Sequence, residues 1–150
     1  MKLSSLTRES RSPRVSSWSE NESIEVEVVR SWDATSRVKV FELREPTGWD
    51  LPPHTAGAHI EVITPGGVRR HYSLCGDPQH GSSYRIGVAL AADSAGGSSS
   101  MHRDVLPGDS LRVSLPRNYF ALDPTARRHV LVAGGIGIGQ QLRDGEAAAL

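Results

Sequence analysis

Apolar residues recur at every second position in short runs separated by proline and glycine, a pattern that leaves little besides an antiparallel sheet. Ile24, Val26 and Val28 alternate with Glu25, Glu27 and Val29. Val38 and Val40, with Glu42, then alternate with Lys39 and Phe41, which sets Val38 and Val40 toward the interior. Period two places such side chains on one face of a half-buried strand. Further strand-like runs cover 58–63, 69–74, 84–90 and 110–115. Pro46-Thr47-Gly48, Pro65-Gly66-Gly67, Asp77-Pro78 and Pro107-Gly108-Asp109 between them are turn chemistry. Six short strands with little helical periodicity predict an all-β domain, an antiparallel barrel or sandwich. One short helix is expected over 98–104, opened by a serine cap and stopped before Pro107.

The 150 residues hold one ordinary domain and the start of a second. Seventeen basic and seventeen acidic residues leave no net charge, which excludes the clustered cations of a nucleic-acid footprint. The single cysteine, Cys75, excludes an internal disulfide and a self-contained iron–sulfur cluster. It reads as a small buried thiol, not a nucleophile. No apolar run approaches the roughly 20 residues of a membrane helix, so a cytoplasmic protein is expected. Residues 1–22 are rich in serine and arginine and read as a disordered tail. The six histidines show no ligand spacing within a predicted helix, so no metal site is expected.

The end of the chain differs. Residues 129–133 are a continuous apolar run, expected as a strand buried on both faces, and lead into Gly134-Gly135-Ile136-Gly137-Ile138-Gly139. A strand running into a glycine turn is how a doubly wound nucleotide-binding domain begins. Eleven residues follow Gly139, too few for a parallel sheet. The expectation is a barrel over 23–124, with 125–150 as the opening of an incomplete α/β domain.

Two stretches carry candidate chemistry. In Arg70-His71-Tyr72-Ser73-Leu74, strand alternation puts Arg70, Tyr72 and Leu74 on one face and His71 and Ser73 on the other. An arginine, an aromatic ring and a hydroxyl suit a flat anionic ligand; the same pattern also fits an ordinary barrel strand. Gly96-Gly97-Ser98-Ser99-Ser100 precedes the helix, where glycine backbone and first-turn amides suit an anion, or form a flexible loop. No catalytic residue can be assembled from sequence order.

In order along the chain, Thr55-Ala56-Gly57-Ala58-His59-Ile60, Arg70-His71-Tyr72-Ser73-Leu74-Cys75-Gly76-Asp77-Pro78 and Gly96-Gly97-Ser98 resemble the ferredoxin reductase-like flavoproteins. Leu115-Pro116-Arg117-Asn118-Tyr119-Phe120-Ala121-Leu122 and Leu131-Val132-Ala133-Gly134-Gly135-Ile136-Gly137-Ile138 continue that order. The branch is that of phthalate dioxygenase reductase and vanillate demethylase reductase. The resemblance implies a six-stranded flavin-binding barrel in an oxidoreductase that passes electrons from NAD(P)H to a partner oxygenase. It implies FMN, with FAD as the alternative. The flavin contacts it implies are Arg70, His71, Tyr72 and Ser73, backbone of Gly87, Val88 and Ala89, and a phosphate turn of Gly96, Gly97 and Ser98. The family's nicotinamide and iron–sulfur domains are expected to be absent from a truncated chain, leaving it inactive with NAD(P)H alone. The family's basic residues near Leu90 and at Ala95 are missing, which weakens the implied phosphate site and leaves a relic, non-enzymatic barrel as the alternative.

Overall fold

The computed structural model describes residues 22–78, 81–92, 96–130 and 132. Six strands form one antiparallel sheet: β1 (Ser23–Thr35), β2 (Val38–Arg44), β3 (His59–Ile63), β4 (Arg69–Ser73), β5 (Tyr84–Ala89) and β6 (Ser110–Ser114). Their spatial order is β4-β3-β6-β1-β2-β5. The sheet curls until its two edge strands meet at a single bridge, Leu74 with Ile86, and Cys75 N–H donates to Arg85 O at 2.8 Å. The expected barrel therefore forms, closed among the described residues at this one bridge.

The interior follows from alternation. Val26 and Val28 of β1, Ile60 and Val62 of β3, Ile86 and Val88 of β5, and Leu111 and Val113 of β6 enclose one core. The face expected for β2 is reversed: Phe41 and Leu43 are fully buried, while Val38 and Val40 lie on the outer side. A shift in the β1–β2 register at Val29 explains it, because Val28 then pairs with Leu43 inside and Arg30 with Glu42 outside. Glu42 misleads because it is buried on the outer face, beneath arginines.

One helix, α1 (Gly97–Asp104), plugs the barrel with Met101, and Val105 follows it into the core. The expected serine cap is not used. Gly96 holds the cap position at φ +88°, a left-handed conformation that serine adopts only with strain. Ser98 Oγ instead accepts from Ala91 N–H at 3.1 Å.

The run at 129–133 departs from expectation: His129, Val130 and Val132 lie outside any strand, and both valines are more than four-fifths exposed. A strand buried on both faces needs neighbours on either side, and no described strand pairs with it. The glycine run 134–139 and residues 1–21 lie outside the described residues.

His54 is half-buried with its ring edge-on to Tyr84, centroids 5.5 Å apart. Burial lowers its pKa below 6.5, with Asp77 pulling partly back. Below pH 6.5 the unfolded chain takes up a proton that the folded chain resists, so stability falls as pH falls through that window. Melting temperatures between pH 7.5 and 5 are expected to drop less steeply in His54→Gln; an unchanged slope would exclude His54 as a source.

Candidate functional site: an open slot between the edge strands

Backbone direction defines the site. Leu74 N–H donates to Ala58 O at 2.9 Å, in register with the Tyr72–Ile60 and Arg70–Val62 pairs, so these β4 residues turn their backbone groups toward β3. Arg69, His71 and Ser73 consequently turn theirs the other way. On β5 the Arg85 carbonyl faces β4, and by the same alternation Gly87 and Ala89 aim their N–H and C=O groups there. Past the Leu74–Ile86 bridge no further β4–β5 pairing exists among the described residues. A slot remains, with strand-edge donors and acceptors along both walls.

Arg70 stands at the open end. Its side chain is packed on Gly97 so closely that a Cβ there would lie 2.9 Å from Arg70 Nε. The guanidinium is thereby held at the N-terminus of α1, where first-turn amides also point outward. Gly66 completes the floor, its own missing Cβ position 3.2 Å from Gly96 O. Further along the slot, Tyr72 is half-buried against the core. Burial raises its phenol pKa above the ordinary value, with the Arg70 charge pulling partly back. The ring thus stays neutral at physiological pH. Ser73 ends β4 beside the bridge, opposite His59.

The candidate residues from 70 to 98 do not all enter in the same way. Arg70, Gly96, Gly97 and Ser98 gather at the start of α1. Ser73, Gly87 and Ala89 turn backbone groups to the slot, and Tyr72 lies beside it, half-buried against the core. The His71 side chain points to the outer face, with Nε2 3.6 Å from Glu61 Oε2 and its ring 5.2 Å from His59, so only its backbone faces the slot. Val88 is turned away: its side chain is fully buried, and its carbonyl, directed toward β2, accepts from His102 Nε2 at 2.8 Å.

Sequence reasoning missed Gly66 and Arg37. Arg37, in the β1–β2 turn, donates from Nη2 to Leu90 O at 3.1 Å, bringing a guanidinium to the place where the sequence lacks a basic side chain. Pro65-Gly66-Gly67 was legible as a turn but not as a neighbour of Gly96; nothing in the sequence pointed to Arg37.

No protein-family model matches the chain. It is 51% identical over 98 residues to phthalate dioxygenase reductase of Burkholderia cepacia, covering 65% of this chain and 30% of that protein. With vanillate O-demethylase oxidoreductase of Pseudomonas putida, identity is 45% over 115 residues, 77% of this chain and 36% of the relative. The chain thus spans about a third of the length of these relatives. The solved structure of phthalate dioxygenase reductase superposes with a TM-score of 0.80 at 40% identity, over 87% of this chain and 42% of that one. An intact type IV self-sufficient cytochrome P450 monooxygenase carries a similar region, TM-score 0.78 and 39% identity, over 84% of this chain and 17% of its own. Over its barrel, this chain is a homologue of phthalate dioxygenase reductase and vanillate O-demethylase oxidoreductase and shares the fold of the former.

Proposed function

We propose that the barrel is the FMN-binding module of a cytoplasmic oxygenase reductase, with the flavin in the β4–β5 slot and its phosphate between Arg70 and the start of α1. The observation that carries this reading is the seating of the Arg70 guanidinium on Gly97, which sets a fixed cation beside helix amides. The residues present fit the group: a slot with polar walls, one neutral aromatic ring and one cationic end match a planar heterocycle bearing a phosphate. When bound, the flavin supplies the conversion of an electron pair, taken from a nicotinamide, into single electrons for a partner oxygenase.

The chain's own residues bind and orient. Arg70 and the α1 amides neutralise the phosphate. Tyr72 offers an uncharged face for stacking, and Ser73 offers its backbone groups at the closed end of the slot, with its hydroxyl on the outer rim beside His71. Gly87 and Ala89, with the His71 backbone, present edge groups to the heterocycle, while Arg37 adds positive charge near Leu90.

The test is titration of the 150-residue chain with FMN and with riboflavin, followed by flavin fluorescence and melting temperature. FMN is expected to raise the melting temperature, as any ligand bound only to the folded state must. It is expected to bind at least about tenfold more tightly than riboflavin, because only FMN carries the phosphate. Equal affinity for both would remove the phosphate assignment, and no response to either would remove flavin binding. Gly97→Ala is expected to keep the fold and lower FMN affinity about fivefold, since the added methyl displaces a flexible side chain, not backbone.

A further inference from the structure

On the outer face of the barrel, behind the Leu74–Ile86 bridge, three arginines converge on one carboxylate. Glu42 sits between Arg30 of β1 and Arg85 of β5 across the register, with Arg44 two residues along the same strand. Its side chain is only 10% exposed. Arg30 Nη2 reaches Glu42 Oε2 at 2.7 Å and Arg44 Nη2 reaches Oε1 at 3.3 Å, while Arg85 Nη2 stands 4.0 Å from Oε2. Arg85 Nε is buried with no hydrogen-bond partner among the described residues. Trp32 braces two of the cations, with the guanidinium carbons of Arg30 and Arg85 4.6 and 5.5 Å from its ring centroid.

Glu42 and the three arginines line a cavity of about 360 Å³ together with His54 and Asp77. Its charged lining is three arginines against two carboxylates, Glu42 and Asp77. Glu42 leaves Arg85 short of an acceptor, and the side chains of Arg30 and Arg44, which also line the cavity, are more than half exposed. We propose that this cavity binds a carboxylate, from a small organic acid or an acidic protein segment, with Arg85, Arg30 and Arg44 as donors and Glu42 as the internal anion that holds them in place. Planar guanidinium forks match a carboxylate bidentately, and their bracing by Trp32 reduces the ordering needed on binding. The site does not depend on flavin and lies on the opposite side of the β5 strand from the core.

Succinate titrated into the isotopically labelled chain at low ionic strength is expected to shift backbone signals of residues 30, 42–44, 75–77 and 82–85. Arg85→Gln is expected to weaken succinate about fivefold, a modest effect because the donors are partly solvated. Glu42→Gln has the opposite sign: it removes the resident anion and tightens succinate about fivefold. A purely structural network would lose stability in Glu42→Gln without gaining affinity, and that result overturns the proposal. So does a succinate response confined to Arg70 and Gly97, or no response at all in the unmodified chain. A hexaglutamate peptide, compared at equal carboxylate concentration, separates the sources: stronger shifts with peptide assign the site to an acidic protein segment, stronger shifts with succinate to a free acid. Either ordering supports a carboxylate site.

Discussion

Replacing Arg70 by glutamine is expected to weaken FMN binding about 50-fold, the loss of one charge-assisted phosphate contact in a fixed geometry. The same substitution is expected to leave riboflavin affinity and the melting temperature nearly unchanged. Arg70 takes no part in the core: its side chain lies against Gly97, and among the described residues its Nη1 donates to the adjacent Arg69 carbonyl at 2.9 Å. Nothing buried is left unsatisfied when the charge goes. The contrast between the two ligands isolates the phosphate term, since riboflavin shares the heterocycle and lacks only that group. Arg70→Lys provides the finer control: it restores the charge but not the fork, and is expected to recover only part of the lost affinity. A parallel loss of both ligands would mean that Arg70 shapes the slot as a whole, and undiminished FMN binding would mean that the phosphate lies elsewhere.

Strand existence was legible in the sequence because period-two alternation survives in β1, β3, β5 and β6, where one face meets the core. The face of β2 was not. Its register depends on the extra residue at Val29, and Glu42 looks like a solvent-facing acid until the arginines above it are placed. The helix was legible, its cap was not, since Gly96 is selected by a backbone angle and not by a side-chain hydrogen bond. The candidate binding residues were legible as types: an arginine, an aromatic ring, a hydroxyl and a double glycine. The pairing of Arg70 with the double glycine was expected as well, since both can hold one phosphate. What periodicity could not show is how closely the Arg70 side chain packs on Gly97 where β4 and α1 reach the same end of the barrel. Backbone direction was beyond the sequence altogether. His71 and Val88 both stand within the implied motif, yet pairing turns the backbone of the first into the slot and that of the second toward β2.

Gly57→Ala is expected to lower stability by about 3 kcal/mol, from two additive sources. Gly57 adopts φ +88°, where an L-residue is strained by roughly 1–2 kcal/mol. Its Cβ would also lie 2.2 Å from the Phe120 carbonyl oxygen, which is backbone and cannot swing aside. The segment after β6 is fastened here on purpose-built contacts: Arg117 pairs with His59, and Asn118 Nδ2 donates to Ala56 O at 2.7 Å and to Thr55 Oγ1 at 2.6 Å. Asn118 Oδ1 accepts from Phe120 N–H at 3.0 Å, so one side chain ties both strands of the clamp. For a domain of this size the Gly57→Ala loss corresponds to a melting temperature about 15 °C lower. Asn118→Ala is expected to cost about 1.5 kcal/mol on its own. The two together are expected to cost less than their sum, because a clamp already sprung by the methyl group has fewer Asn118 bonds left to lose. Strict additivity in that double-mutant cycle would show that Gly57 and Asn118 act on separate parts of the fold. A Gly57→Ala chain melting with the unmodified one would show that the Phe120 backbone yields without cost.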